Sequence, residues 1–427
     1  MKGKTRFSIV LIALLFVLAG CGKEEIPMED YVRSNPATSG MSMIMKSDTG
    51  YYYSTLSGQE MELHYYDVES GQNIYLCSKP ECRHDGDAFC TATNAKYHVN
   101  SAYFYGDSLY LAAVEETETE YLYKIIRVSA DGSELNEVIT YMTVQKNMMT
   151  PLYGGEPAII HRGMMVLPYR MYGNVGVQNG VTGTYLYNLI TGELSQLPEL
   201  EYTKFETGRT RFTGYGDYIY FNTRIDRTNT LSRYCLTDGT VEDLELFRTY
   251  VGKFEVMDED TIYYTWSEGR LYEYNISTKK NTQYDDVLVE TMVYPAGEGE
   301  YYVQQPYSFS DMITDGTYLY VGEYAEFRES GAGLIGYTVG EDGSKEDMIP
   351  CVHVYNRDLK EVATVEISTK ELLGHYEYFS LAILDDIVYL KTTSTVFTCT
   401  LEEFLKGGRP PFERLYDHLD VEYEKYN

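Results

Sequence analysis

"YGDSLYLAAV", Tyr105 to Val114, "YGDYIYFNT", Tyr215 to Thr223, and "TDGTYLYVG", Thr314 to Gly322, are three versions of one phrase. Each places Gly and Asp in a turn and follows it with a short run of tyrosines and aliphatic residues. Glycine and aspartate suit tight turns, whereas aromatic and β-branched residues suit extended chain. The phrase returns as "SDTGYYYSTL" at Ser47, "HRGMMVLPY" at His161, "DEDTIYYTW" at Asp258 and "LDDIVYLKT" at Leu384, each time followed by a further apolar run and another turn. The centres of the repeated strand fall at Tyr52, Tyr110, Met165, Tyr220, Tyr263, Tyr320 and Tyr389, at intervals of 58, 55, 55, 43, 57 and 69 residues.

Seven copies at such a period predict an all-β fold, a β-propeller of seven four-stranded blades. In the first blade the four strands A to D read "MSMIMK" (41–46), "YYYSTL" (51–56), "MELHYYDV" (61–68) and "NIYLC" (73–77). The last copy supplies four strands of its own, so the ring is expected to close by packing blade 7 on blade 1 without a shared strand. The stretch from Leu288 to Pro306 fits no blade and leaves room for six or eight. There are 45 Tyr against one Trp, and 36 Gly against 12 Pro. That balance favours many short strands with tight turns, and it makes the tyrosines packing residues between sheets more readily than a carbohydrate-stacking stripe.

The N-terminus fixes the expected location. Lys2, Lys4 and Arg6 precede an uncharged apolar run, Phe7 to Gly20, which is too short for the ~20 residues of a membrane span and reads as a signal-peptide core. It ends in "LAGC", Leu18 to Cys21, which resembles the lipobox of bacterial lipoproteins. On that resemblance residues 1–20 are a signal peptide and Cys21 is lipidated, a membrane lipoprotein carrying palmitate-type acyl chains. Residues 21–40 are then a flexible tether, and residues 41–427 the propeller on the outer face of the cell membrane. The formal charge is -30, and -33 without the first twenty residues. A polyanion of this kind is repelled by nucleic acid, which is excluded as a partner.

In an up-and-down blade the B-to-C loops and the D-to-A connections leave on one face. Four stretches read as B-to-C insertions: those beginning at Glu115, Met171, Arg224 and Tyr324, the last running to Pro350. Long loops carry function more often than short ones, so a ligand or protein partner is expected on this insertion face. "CSKPECRHDGDAFC", residues 77–90, is a D-to-A connection and is expected on the same face. Cys77, Cys82, His84 and Cys90 form a complete tetrahedral set for one structural zinc. A chain outside the cytoplasm also permits disulfides, Cys77 to Cys82 or Cys82 to Cys90, with the remaining thiol pairing to Cys235, Cys351 or Cys399. Free thiols are the third reading. The other histidines, and the three cysteines in later strands, read as packed or exposed residues.

The "LAGC" segment, the "DGTYLYV" and "GDYIYFNT" phrases and "LCSKPECRHDG" together resemble a group of uncharacterised propeller lipoproteins of Gram-positive gut anaerobes (the DUF5050 type). That group is akin to the TolB-like and low-density-lipoprotein-receptor-like propellers, and the resemblance covers most of the chain but transfers no activity. Motifs of enzymatic propellers are missing: "SDTG" at Ser47 lacks the spacing and Trp of a sialidase Asp box, and no haem, P-loop, calcium or nucleophile-elbow pattern occurs. The sequence therefore reads first as a lipid-anchored, cell-surface binding module without catalytic residues, and with no cofactor beyond the zinc that one of the three readings of the cysteines allows. A glycoside hydrolase or lyase with two carboxylates in the channel is the second reading. An accessory or sensor subunit of a membrane complex is the third.

Overall fold

The computed structural model describes residues 33–34, 44–57, 60–85, 90–147, 149–151, 158–173, 180–202, 208–225, 228–247, 251–266, 270–288, 293–295, 301–303, 311–323, 337–339, 345–347, 351–374, 379–392 and 395–417. They form a seven-bladed β-propeller of four-stranded antiparallel sheets, the third of which carries Met149–Pro151 as an added strand. Blade 1 comprises Met45–Lys46, Gly50–Ser57, Glu60–Asp67 and Gln72–Tyr75. The first strands of blades 2 to 7 are Tyr97–Tyr105, Ile159–His161, Gly208–Tyr215, Val251–Val256, Asp311–Thr314 and Phe379–Leu384. These first strands adjoin one another in order from blade 1 to blade 7 and so surround the axis. Within the stretch that fitted no blade, Val293–Pro295 pairs with Tyr301–Val303 as a separate hairpin, so the count of blades is seven.

The repeated phrase earns its place by register. Tyr52, Tyr110, Met165, Tyr220, Tyr263, Tyr320 and Tyr389 pair respectively with Met45, Tyr103, Ile160, Thr213, Glu255, Ile313 and Ala382 of the neighbouring first strand. All seven second-strand side chains are at most 4% exposed, which places them between blades. Burying such a side chain is worth about 1.5–3 kcal/mol, provided its polar end finds a partner. Two hydroxyls find theirs in the next blade, Tyr52 donating to the Ala130 carbonyl at 3.0 Å and Tyr263 to the Arg357 carbonyl at 3.4 Å, while Tyr320 donates within its own blade to Asp315 at 2.7 Å. The packing reading of the tyrosines is the one the structure bears out.

The turn between the first two strands of blade 3 uses Arg162 (φ 47°) and Gly163 (φ 77°) between His161 and Met164, a two-residue connection with both residues left-handed. Such a turn matches the twist of the flanking strands. Blade 7 makes the same connection with Asp385 and Asp386, at φ 51° and 59°.

Ring closure needs no exchanged strand. Tyr51 of blade 1 meets Tyr389 of blade 7 hydroxyl to hydroxyl at 3.0 Å, Tyr53 stacks on Tyr416 with centroids 4.7 Å apart, and Lys46 pairs with Asp385 at 2.7 Å. The expected closure by packing alone is what is found.

The insertions turned out differently. The one at Glu115 is the tight end of a hairpin, in which Glu116 pairs with Tyr121 around four residues, 117–120, closed by the Thr117 hydroxyl on the Glu120 carbonyl at 3.0 Å. At Arg224 the strand pairing runs on to Ile225 opposite Thr228, with residues 226–227 outside the described set. Alternation of side chains continued through both stretches, so each strand simply lengthened. At Met171 the pairing runs on through Gly173 and resumes at Gly180, with residues 174–179 outside the described set. In the longest insertion, Tyr337–Val339 and Lys345–Asp347 form a hairpin of their own. Among the described residues no helix is long and apolar enough to cross a membrane.

Candidate metal centre and axial funnel

The fourth strand of blade 1 is interrupted. Leu63 in the third strand accepts from the Leu76 amide at 2.9 Å and donates its own amide to the Ala92 carbonyl at 3.0 Å. The chain therefore leaves the outer edge of the blade after Leu76 and returns to the same residue at Ala92. The excursion between them holds Cys77, Cys82, His84 and Cys90, whose ligand atoms all lie within 4.8 Å of one another. All six described cysteines are free thiols, and Cys235, Cys351 and Cys399 sit in strands of blades 4, 6 and 7, outside the cluster.

The excursion is held from two sides. Against blade 2, the Ser78 amide donates to the Gly132 carbonyl at 3.2 Å, and the Thr91 hydroxyl lies 2.7 Å from the Leu76 carbonyl and 2.9 Å from that of Gly132. Gly132 has φ 67° and comes so close that a Cβ would meet the Leu76 carbonyl carbon and oxygen at 2.6 Å, so only glycine fits. Against blade 1, the His84 ring stacks on Tyr75 with centroids 4.4 Å apart, and His84 Nδ1 lies 3.4 Å from Cys90 Sγ. Glu81 and His84 both adopt left-handed backbone, at φ 63° and 52°. Non-glycine residues pay for that conformation and concentrate where surroundings enforce it.

The cluster thus hangs from the outer edge of blade 1, against the turn between the third and fourth strands of blade 2. The sequence had placed it on the insertion face, on the assumption that the fourth strand runs its full length before the connection begins. Here that strand gives way at mid-height, and the connection starts from the rim.

The electrostatics separate the thiols. Burial pushes the Cys77 thiol up, yet the amides of Lys79 and Thr91, the Thr91 hydroxyl and Cys82 outweigh it and bring it down to about 7. For Cys82 the His84 amide pulls down, while burial and the neighbouring Cys90 and Cys77 push up to about 11. The buried Cys90 sulfur accepts from the Thr93 amide at 3.4 Å. Backbone amides aimed at sulfur stabilise thiolate, the form that ligates metal. Tetrahedral zinc with sulfur at ~2.3 Å sets ligand atoms about 3.8 Å apart, so the cluster would close onto an ion with a contraction of about 1 Å. Three sulfurs and one imidazole are a donor set that could hold a metal.

The second feature is an axial funnel of about 1960 Å³, lined by the ends of the first strands and the turns that follow them. It opens on the face of the first-to-second-strand turns, opposite the insertions. Two of its carboxylates, Asp315 and Asp385, are engaged in holding those turns. Asp315 accepts from the Thr317 and Tyr318 amides at 2.7 and 2.8 Å and from the Tyr320 hydroxyl at 2.7 Å, and Asp385 accepts from Lys46. Two residues from the stretch read as a flexible tether, Arg33 and Ser34, also line the funnel. They, Gly132 and Thr91 were missed in the sequence. The "SADGSE" turn at 129–134 was the available signal for Gly132; none marked the other three.

Of the remaining expectations, His161 is buried and bonded through Nε2 to the Gly216 carbonyl at 2.8 Å, with burial holding it below its ordinary value. His353 pairs with Glu361 at 3.0 Å, and His64 stacks on Tyr53. His375, His418 and Cys21 lie outside the described residues. Exposed large apolar side chains, such as Val68, Val138, Ile190, Ile225 and Val362, are spread over five blades.

No protein-family model matches the chain, and no curated protein matches it. Among solved structures it is similar to an oligogalacturonate lyase in complex with manganese, at 12% identity over 88% of this chain and 92% of that one, with a TM-score of 0.46. It is similar also to an oligogalacturonate lyase from Vibrio parahaemolyticus, at 10% identity, 87% and 92% coverage and a TM-score of 0.44. A third likeness is the C-terminal WD40 domain of Sif2, at 9% identity, 92% and 88% coverage and a TM-score of 0.41.

Proposed function

We infer that the protein is an extracytoplasmic binding propeller, anchored through lipid on Cys21, with one zinc on Cys77, Cys82, His84 and Cys90 as a structural staple. The observation that carries the binding reading is the state of the funnel. Its volume of about 1960 Å³ has room for a ligand, and two of its lining carboxylates, Asp315 and Asp385, are committed to turn amides, a tyrosine hydroxyl and a lysine. A general acid and base need carboxyls free to exchange protons with a substrate. The zinc would have all four positions filled by protein, which leaves none for a substrate or water and makes its role structural. Cys77, Cys82 and Cys90 would supply thiolates and His84 an imidazole nitrogen, tying the base of the excursion together.

The test is incubation of the purified mature chain with glycans, lactones and peptides. No product is expected from any of them, and turnover of one, abolished by substitution inside the funnel, would overturn the binding reading.

A further inference from the structure

The first strand of each blade has one edge paired and the other turned to the axis. An unpaired edge is a template for any extended segment that can reach it. In blade 4 that edge is taken by the chain's own N-terminal stretch. The Ser34 amide donates to the Gly214 carbonyl at 2.9 Å, the Gly214 amide donates to Ser34 Oγ at 2.9 Å, and Arg33 lies opposite Tyr215 in an antiparallel bridge.

The arginine completes the docking. Its guanidinium carbon stands 4.8 Å from the centroid of the Tyr215 ring, and its two terminal nitrogens donate to the Val256 and Met257 carbonyls at the end of the first strand of blade 5. Blade 6 contributes Gly316, with φ 90°, where a Cβ would stand 3.0 Å from a guanidinium nitrogen. Glu255 and Asp315 provide compensating negative charge. A ring face, two aligned carbonyls, a glycine that leaves room and two carboxylates are what a planar, five-donor cation requires. An ammonium would use less of it.

We propose that blades 4 to 6 form a binding site for an extended peptide segment carrying arginine, and that Arg33 and Ser34 of the chain's own tether fill it as a self-ligand. The tether is then a strap across one sector of the funnel, and a partner peptide must displace it. A linked segment competes at an effective concentration in the millimolar range, so the strap excludes weak partners and yields to tight ones.

The test uses the soluble mature chain, which makes it independent of the anchor. A fluorescent peptide with the sequence of residues 29–39, "EDYVRSNPATS", is titrated into the natural chain and into Arg33→Ala. The peptide is expected to bind Arg33→Ala at least tenfold more tightly than the natural chain, and to lose that affinity when its own arginine is replaced by lysine. Hydrogen exchange around Gly214 should quicken in Arg33→Ala and slow again with peptide bound. Equal binding to both chains, or binding to neither, would overturn the proposal.

Discussion

Blade 1 is fastened on its two sides by different chemistry. Toward blade 7 the joint is aromatic: Tyr51 on Tyr389, Tyr53 on Tyr416, each ring almost wholly buried. Toward blade 2 the joint includes Tyr52 stacked on Phe104 at 4.8 Å, and also an excursion of the outer strand that folds round three thiols and a histidine. The first joint draws its stability from buried rings, one hydroxyl pair and one exposed ion pair, and is indifferent to the redox state or metal content of its surroundings. The second would gain a cross-link if the thiols held a metal, as proposed. The contrast teaches that the ring is held by apolar seams, while the thiol cluster governs one local excursion.

Breaking the seam should have the largest effect. Tyr53 is 0% exposed and stacks on Tyr416 and His64, so Tyr53→Ala removes a ring at the closure and leaves a cavity. The expected loss is about 3–5 kcal/mol, read as a lowered denaturant midpoint with one cooperative transition. Gly132→Ala strikes the other joint. A methyl group there must displace Leu76 and Cys77, so metal retention should fall at least tenfold and proteolysis between residues 77 and 91 should rise, while the unfolding midpoint drops by less than in Tyr53→Ala. A Gly132→Ala chain that unfolds as readily as Tyr53→Ala would break the distinction between the joints.

The smallest effect concerns the outer surface of blade 2. The Lys124 ammonium, followed by the Tyr97 hydroxyl and Lys96, holds the Glu137 carboxyl down at about 2. A carboxylate with a depressed folded value contributes stability that is fully present above its unfolded value and lost as the pH falls toward 2. The window is therefore about pH 4.5 down to 2. Because the side chain is 40% exposed, solvent screening limits the contribution to under about 1 kcal/mol. Glu137→Gln should flatten the acid limb of the stability profile in that window and leave both joints of blade 1 intact.

Much of the fold was legible because its signal is periodic. The seven second-strand residues named from the sequence all pair with the first strand of their blade and are all buried, since burial between blades selects a large side chain at this place in every copy. The insertions at Glu115 and Arg224 were misread because charged residues on the outward face of a long hairpin look like loop. The position of the thiol cluster was hidden for another reason: Leu63 bonds to Leu76 on one side and Ala92 on the other, an interruption that only pairing reveals. That the four residues gather was readable, because three cysteines and a histidine in fourteen residues are dense in a chain with seven cysteines. Arg33 and Ser34 carried no pattern at all, and their role depends wholly on what they touch.

The account turns most directly on what joins the four ligands, and the measurement is metal content with X-ray absorption on the anaerobically purified mature chain. One zinc per chain is predicted, bound by three sulfurs and one nitrogen, with Cys77, Cys82 and Cys90 protected from alkylation until a chelator removes it. A metal-free chain whose mass is lowered by two hydrogens per bridge, or whose three thiols alkylate freely, would contradict it.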